Sequence, residues 1–530
     1  MKLNYKRTIF VGFAFFLISA FWQAYDTIIP KILTDKFGLS QTVSGAIMAL
    51  DNVFALVLLP IFGAISDKIC SRFGRRTPFI VIGTVAAAIL LVGLSIPDAA
   101  QLQSIEAVSA TEGEAYTEAL GAIWDENPTV ADWTAESGVA KKQPLQDLIG
   151  REDFTSISVT IENEKGEAET NPAYSNIVVP ARQAYAARMT EKDSGPLIAF
   201  MILLFLTLIA MGSFRSPAVA LMPDVTVKPL RSKANAVINL MGTAGGILVL
   251  LLGIIFGTGA VKNALMSYTT FFTIVAAIML VGLSIFLFKV REPRWAAEMQ
   301  ADTDRLGLES PAEGVQKEEG RKLSTAEKLS LGLILASVVF WFMGYNAVTS
   351  KYSVYASTVL AVDYNTTLLI AQGAAIVSYL PVGMLSSKLG RKKMILGGVV
   401  ILAASFFFAS FLSADSPNAV KQVLMPILFA TAGIGWATIN VNSYPMVVEL
   451  SRGSNVGKYT GFYYTASMSA QIATPILSGL CLDHISWRTL FPYATVFVVL
   501  AFFTMLFVRH GDSKPVASEV ALDAAGGGEG

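Results

Sequence analysis

The sequence predicts an all-α membrane protein of twelve transmembrane helices in two six-helix pseudo-repeats, with an outward insert between helices 3 and 4. Three observations carry this prediction. The 530 residues are 53% hydrophobic and only 15% charged, where a soluble protein carries about 25% charge. Mean hydropathy is +0.55. Twelve runs reach the roughly 20 apolar residues that a helix needs to cross a bilayer, and runs of that length mean helices rather than barrel strands.

In the first half the runs lie near 8–30, 42–65, 77–97, 196–222, 233–257 and 268–289. In the second they lie near 329–354, 365–387, 393–414, 423–447, 458–482 and 487–508. The first half thus comprises 1–97 and 195–290 around the insert 98–194, and the second is 329–508. A charged linker, 291–328, joins them, and a Gly-rich tail, 509–530, reads as disordered. The start "MKLNYKRT" runs straight into apolar sequence without a small-residue cleavage site, so the first run reads as a retained span. With the N-terminus inside, cytoplasmic segments hold 26 Lys and Arg against 6 in the short outer loops. The positive-inside rule then places both termini in the cytoplasm of a multi-pass cell-membrane protein. The insert is acidic, and "FTSISVTIENEKGE" within it reads as an alternating strand and turn. A folded cap and an Ω-like loop are equal readings of it.

Net formal charge is zero, which removes any reason to expect nucleic acid. The two cysteines, Cys70 and Cys481, give no disulfide framework. The two histidines, His484 and His510, form no metal cluster, and no metal or cofactor is expected. A phosphate-cradling loop, a His-Glu-x-x-His helix and a nucleophile elbow are all missing, so an enzyme is not expected.

The halves echo each other. "GAISDKICSRFGRRTPFI" (63–80) after span two matches "GMLSSKLGRKKMIL" (383–396) after span eight. Asp224 and Arg231 after span four match Glu449 and Arg452 after span ten. Trp22, Tyr25 and Asp26 in span one match Phe342, Tyr345 and Asn346 in span seven. Six plus six helices in parallel repeat is a transporter architecture.

On these residues the chain resembles the major facilitator superfamily over nearly its whole length, the insert excepted. The loop form ending "GRRTPFI" resembles the glycoside–pentoside–hexuronide cation symporters, and more closely their sucrose-transporter branch. "TDKFGLS" (34–40), "PIFGAISD" (60–67), "SPAVALMPD" with "KANAV" (216–237) and "NSYPMVVEL" (442–450) fit the same group. The resemblance implies a cytoplasmic gate at Gly63, Asp67, Arg72, Gly74, Arg75, Arg76, Asp224, Arg231, Gly383, Gly390, Arg391, Glu449 and Arg452. Asp67 is expected to latch one conformation by pairing across to a neighbouring helix. The second copy of the loop has Ser387 for the acid, which makes the latch asymmetric.

Charges at membrane depth cost about 2.5–3.5 kcal/mol on insertion scales, so they are expected to line a cavity or to be paired. Asp26 lies about 10 Å and Asp51 about 13 Å below the outer ends of their spans at 1.5 Å per residue. Two carboxylates at similar depth on adjacent helices repel each other, which suits one of them to take and release a proton. Asp26 and Asp51 are therefore the candidate proton-coupling residues. Arg215 in span four is a candidate partner for them or for a solute. The sucrose branch carries an arginine two residues after the proline matched by Pro217, but Val219 stands there and Arg215 lies four residues earlier. The melibiose-type cation acids fall on Ser19, Ala55 and Leu59, so protons are expected over sodium. Lys351, at the outer end of span seven, reads as a side chain snorkelling to the interface.

A sugar needs aromatic stacking and amide or charged hydrogen-bond partners. Trp22, Gln23, Tyr25, Asn52, Arg215, Asn239, Trp341, Tyr345, Asn346, Gln372, Trp436, Asn440 and Gln471 supply these as candidate substrate-binding residues. The expected function is a proton-coupled symporter, a monomer in the bilayer, that carries a sugar or glycoside by alternating access. Two alternatives stand beside it. The same fold could carry an organic anion, uronide or nucleoside by symport or antiport. A non-transporting receptor could use the 98–194 insert as its binding module.

Overall fold

The computed structural model describes every residue except 1–2, 70, 133–140, 163–167, 228–229, 306–323, 414–415, 450–455 and 511–530. The predicted all-α architecture is what forms. Twelve long helices follow in order: Tyr5–Lys31 (span one, continued by a π-helical turn Ile32–Lys36), Gln41–Lys68 (two), Thr77–Gly93 (three, continued by Ser95–Ser104), Gly195–Asp224 (four), Arg231–Phe256 (five) and Thr269–Lys289 (six). The second half has Thr325–Tyr355 (seven, continued by Ala356–Leu360), Tyr364–Leu389 (eight), Arg391–Ala409 (nine), Asn418–Glu449 (ten), Val456–His484 (eleven) and Leu490–Leu506 (twelve). Ten helices among the described residues have the length and apolar composition to cross a membrane. Spans eight and eleven, with 26 and 29 residues, fill the remaining places in the order.

Packing repeats with a period of six helices. Span one packs on five and six, three on four and six, and two on four. Span seven packs on eleven and twelve, nine on ten and twelve, and eight on ten. Each half closes its own apolar core, one around Phe21, Phe214 and Phe272, the other around Trp341, Phe406 and Phe491. The halves meet along span two against eleven, five against eight, and one against seven.

The insert is a folded unit with a third core, built on Leu120, Phe154 and Tyr174. Val261 and Leu265, from the loop between spans five and six, complete that core. The predicted strand at "FTSISVTIENEKGE" shortens to Thr160–Glu162, paired antiparallel with Ala168–Thr170. Phe154 instead lies on a short helix, Arg151–Thr155, with its ring buried in the insert core. A second hairpin pairs Thr129–Asp132 with Lys141–Pro144. The insert grips the end of span one: Gln183 donates to Asp35 at 2.8 Å, Gln101 to the Lys36 carbonyl at 2.8 Å and Thr190 to the Phe37 carbonyl at 3.0 Å. This side of the molecule is called the insert face below.

The linker after span six begins as the helix Glu292–Arg305, and Trp295 on it joins the first-half core. The tail beyond His510 lies outside the described residues.

Candidate functional site

Span one is enclosed along most of its length, since Ala24, Tyr25, Thr27, Ile28 and Ile29 are all buried. One stripe escapes. Ser19, Trp22 and Gln23 are half-buried and Asp26 is exposed, at the three- and four-residue steps that share a helix face. Asp26 is crowded by protein yet accessible, so it looks into a cleft. Asp51 and Arg215 are its charged neighbours. The Asn52 amide donates to Asp51 at 2.6 Å. The Arg215 guanidinium lies 5.4 Å from the centre of the Trp22 ring, a cation–π approach. Neither Asp26 nor Arg215 closes a direct ion pair among the described residues. The first half thus presents two carboxylates and one guanidinium, all within electrostatic reach of one another.

The matching spans of the second half carry aromatic and neutral polar side chains. Tyr345 and Trp436 stack face to face at 3.7 Å with ring planes 3° apart, and Phe342 meets Trp436 edge-on at 5.2 Å. Asn346 is half-buried, its amide nitrogen without a partner among the described residues. Asn440 is exposed one turn along span ten, and Tyr379 of span eight hydrogen-bonds to it. Gln372 of span eight donates to Gln23 of span one at 2.7 Å, a bridge between the halves.

Not every candidate reaches this cleft. Trp341 is fully buried in the second-half core with Ile334, Val338, Val348 and Tyr352. It sits one position before Phe342, about 100° round the helix at 3.6 residues per turn, so the Phe342–Tyr345–Asn346 face and the Trp341 face point apart. Tyr25 is also buried, held by Phe21 and Trp22. Two other candidates stay accessible: Gln471 is half-buried, its amide donating to the Ser467 carbonyl at 3.3 Å, and Asn239 is exposed on span five.

At the opposite face the predicted gate residues form a cluster inside the first half. Arg76 donates to Asp67 at 2.5 Å, to Asp224 at 2.8 Å and to Ser66. Asp67 therefore pairs within its own half, not across to the other, and keeps 60% of its side chain exposed. Arg72 and Arg75 are exposed, and Gly63 sits beside Ser216. Gly74 has φ +109, and a Cβ there would lie 2.2 Å from the Glu292 carboxyl, so the turn accepts only glycine. Gly390 repeats the positive φ in the second half, at +87, beside the half-buried Arg391 and the exposed Gly383. The side chains of Arg231 and Glu449, and all of Arg452, fall outside the described residues.

Sequence reasoning misses Glu292. Its carboxylate accepts from the backbone N–H of Arg75 (2.6 Å), Arg76 (2.9 Å) and Thr77 (2.8 Å), and from the Thr77 hydroxyl (2.7 Å). It caps span three from the linker, where anionic groups are favoured. Glu292→Ala is expected to lower the thermal midpoint of the purified protein, with a stability loss of about 1–2 kcal/mol, measurable by fluorescence melting in detergent.

Lys351 is not at a water interface. It is 1% exposed and donates to the Gln41 carbonyl of span two. Lys31, Lys36 and Lys421 are likewise buried on the insert side, and Lys36 pairs with Asp98 at 2.7 Å. Much of the basic charge that the sequence assigns to short outer loops is thus inside the protein.

The family model described as MFS/sugar transport protein matches residues 10–106, and the model described as Major Facilitator Superfamily matches 366–525. Major facilitator superfamily domain-containing protein 8 of Xenopus laevis is 20% identical over 302 residues, which are 47% of this chain and 59% of that protein. The human proton-associated sugar transporter A is 31% identical over 93 residues, 18% of this chain and 12% of that protein. The chain therefore spans little more than half the length of the first relative and far less of the second. Among solved structures, the inward-open xylose transporter XylE from E. coli aligns over 97% of this chain and 98% of its own, with TM-score 0.56 and 17% identity. A mutant of the nucleoside transporter NupG aligns over 94% and 99%, with TM-score 0.51 and 11% identity. These likenesses show the fold, that of the major facilitator transporters. The families and relatives that match are transporters, not enzymes.

Proposed function

We propose that this multi-pass membrane protein of major facilitator fold is a secondary active transporter, a proton-coupled symporter of a sugar or glycoside. One observation carries the reading. An acid deep in span one, Asp26, stays accessible on the stripe where Gln23 is bridged to Gln372 of the other half, and in this reading the Tyr345–Trp436 stack stands across from it. Such a cleft offers an apolar face to a sugar ring and amides and charges to its hydroxyls, beside a carboxylate able to bind a proton. Trp22, Gln23, Asn52, Arg215, Phe342, Asn346, Gln372 and Asn440 complete the binding set in this reading. Asp26 and Asp51 exchange the proton.

Among the described residues, the hydrogen bonds between the halves run from the Gln23–Gln372 bridge toward the insert face. At the opposite face the Arg76 cluster stays within one half. This asymmetry supports a state closed on the insert side, as alternating access requires of one of its two states. With the basic-residue distribution, the insert face is extracytoplasmic and both termini are cytoplasmic in a cell membrane. The "GRRTPFI" loop supports placement near the glycoside–pentoside–hexuronide and sucrose group. Likeness to a D-xylose–proton symporter and to the proton-associated sugar transporter supports both solute and ion.

Arg215 is the observation that favours an organic anion or uronide, and two acids beside it offset that charge. Reconstituted protein should be offered labelled pentoses, hexoses, glycosides, uronides and nucleosides with and without an inward proton gradient. Gradient-dependent uptake of a neutral sugar or glycoside is the expected result. Uptake restricted to uronides or nucleosides, or indifferent to the gradient, overturns the solute or the coupling respectively.

A further inference from the structure

The closed insert face is held by a helix cap that one half lends to the other. Span two begins at Gln41, and its first N–H groups have no partner within the helix. Asp483, near the end of span eleven in the other half, supplies one. Its carboxylate accepts from the Gln41 N–H at 2.9 Å, the Thr42 N–H at 2.7 Å and the Thr42 hydroxyl at 2.6 Å. Lys351, buried on span seven, donates to the Gln41 carbonyl in the same turn, so the second half holds both a donor and an acceptor of this one residue. The backbones themselves touch. A Cβ on Gly45 would lie 2.0 Å from the Pro475 carbonyl oxygen, and one on Gly479 would lie 2.5 Å from the Gln41 carbonyl oxygen. Gln41 is 4% exposed and Ser44 fully buried, while Thr42 and Asp483 are half-buried at the edge of the seam.

Among the described residues, the Gln41 and Thr42 N–H groups find this acceptor only in the opposite half. Ser40 caps the Val43 N–H locally at 3.2 Å, so if the insert face opens, span two loses the acceptor of its first two N–H groups and Lys351 loses its own acceptor. We propose that Asp483 is the latch of the insert-face gate, its bonds to the start of span two made only while that face is shut, with Lys351 tying down the Gln41 carbonyl beside it. This goes beyond the transport reading, because it assigns the two residues that set the balance between the gate's states and does not depend on which solute moves.

The test uses the full chain with Cys70→Ser and Cys481→Ser, and spin labels on Val43→Cys and Ile485→Cys. Both reporter positions are exposed and flank the seam on opposite halves. Pulsed electron–electron resonance in liposomes then reads the share of the long-distance, open population. Loss of a helix cap shifts an equilibrium by about two- to thirty-fold. Asp483→Ala should raise the ratio of open to closed by that order, and Lys351→Met should raise it also. Thr42→Val, which removes only the hydroxyl donor, should move it less, and it provides the readout should Asp483→Ala fail to fold. An unchanged distance distribution in the folded variants overturns the latch. A clear shift in a protein that transports none of the tested solutes leaves the latch standing and sinks the transport reading, so the two failures are distinguishable.

Discussion

Asp26→Asn is expected to abolish concentrative uptake while leaving exchange of solute across the membrane intact. An inward gradient of two pH units stores about 2.7 kcal/mol per proton, enough for about hundredfold accumulation. If Asp26 carries the coupled proton, its amide cannot, and accumulation falls to equilibration with the outside concentration. Asparagine keeps the size and most of the hydrogen bonding, so the cleft still binds solute and both gates still work. Asn346 already occupies the matching step of span seven, which shows that an amide suits the repeat's geometry. Counterflow in preloaded liposomes should therefore stay close to wild type. Preserved accumulation in Asp26→Asn would remove Asp26 from the coupling. Loss of both modes would make it a binding residue instead.

Gly45→Val is expected to do the opposite, stopping uptake and exchange together. The Pro475 carbonyl oxygen lies 2.0 Å from where a Cβ would stand, and backbone faces backbone there, so no side chain can swing away. Valine forces spans two and eleven apart, and the insert face cannot close. A transporter that cannot close one face cannot cycle in any mode, whereas solute binding from that face survives. The spin-label pair at Val43 and Ile485 should report a distribution moved almost wholly to long distance. Turnover close to wild type would show that the seam is not a working gate. Asp26 and Gly45 thus separate coupling from gating, and the comparison of exchange between the two variants distinguishes them better than uptake alone.

The repeat makes much of this site legible. Trp22, Tyr25 and Asp26 against Phe342, Tyr345 and Asn346 point to two helix faces, and in the structure Trp22, Asp26, Phe342, Tyr345 and Asn346 all keep some exposure while Tyr25 is buried. Residue type alone selects Trp341, though helical phase puts it with Ile334, Val338 and Val348 on the core side. Lys351 misleads for a different reason. A lysine at a helix end usually reaches water, and nothing local shows that the carbonyl of Gln41, 310 positions earlier, lies against it. Glu292 and Asp483 are silent because each caps a helix far away in sequence, 215 and 442 positions from the N–H groups they accept. Local patterns reveal a cap only when the capping residue adjoins its helix. The insert's fold is equally hidden, since its core needs Val261 and Leu265 from beyond span five.

Joint movement of solute and proton through the cleft at Asp26 is the centre of the proposed mechanism, and solute-driven proton movement tests it most directly. Protein in weakly buffered liposomes, with no imposed gradient, receives a sugar that it takes up, and a dye reads the external pH. The expected result is an external alkalinisation on sugar addition that a protonophore removes and that Asp26→Asn lacks. Sugar entry without any pH change, or an equal change in Asp26→Asn, would contradict it.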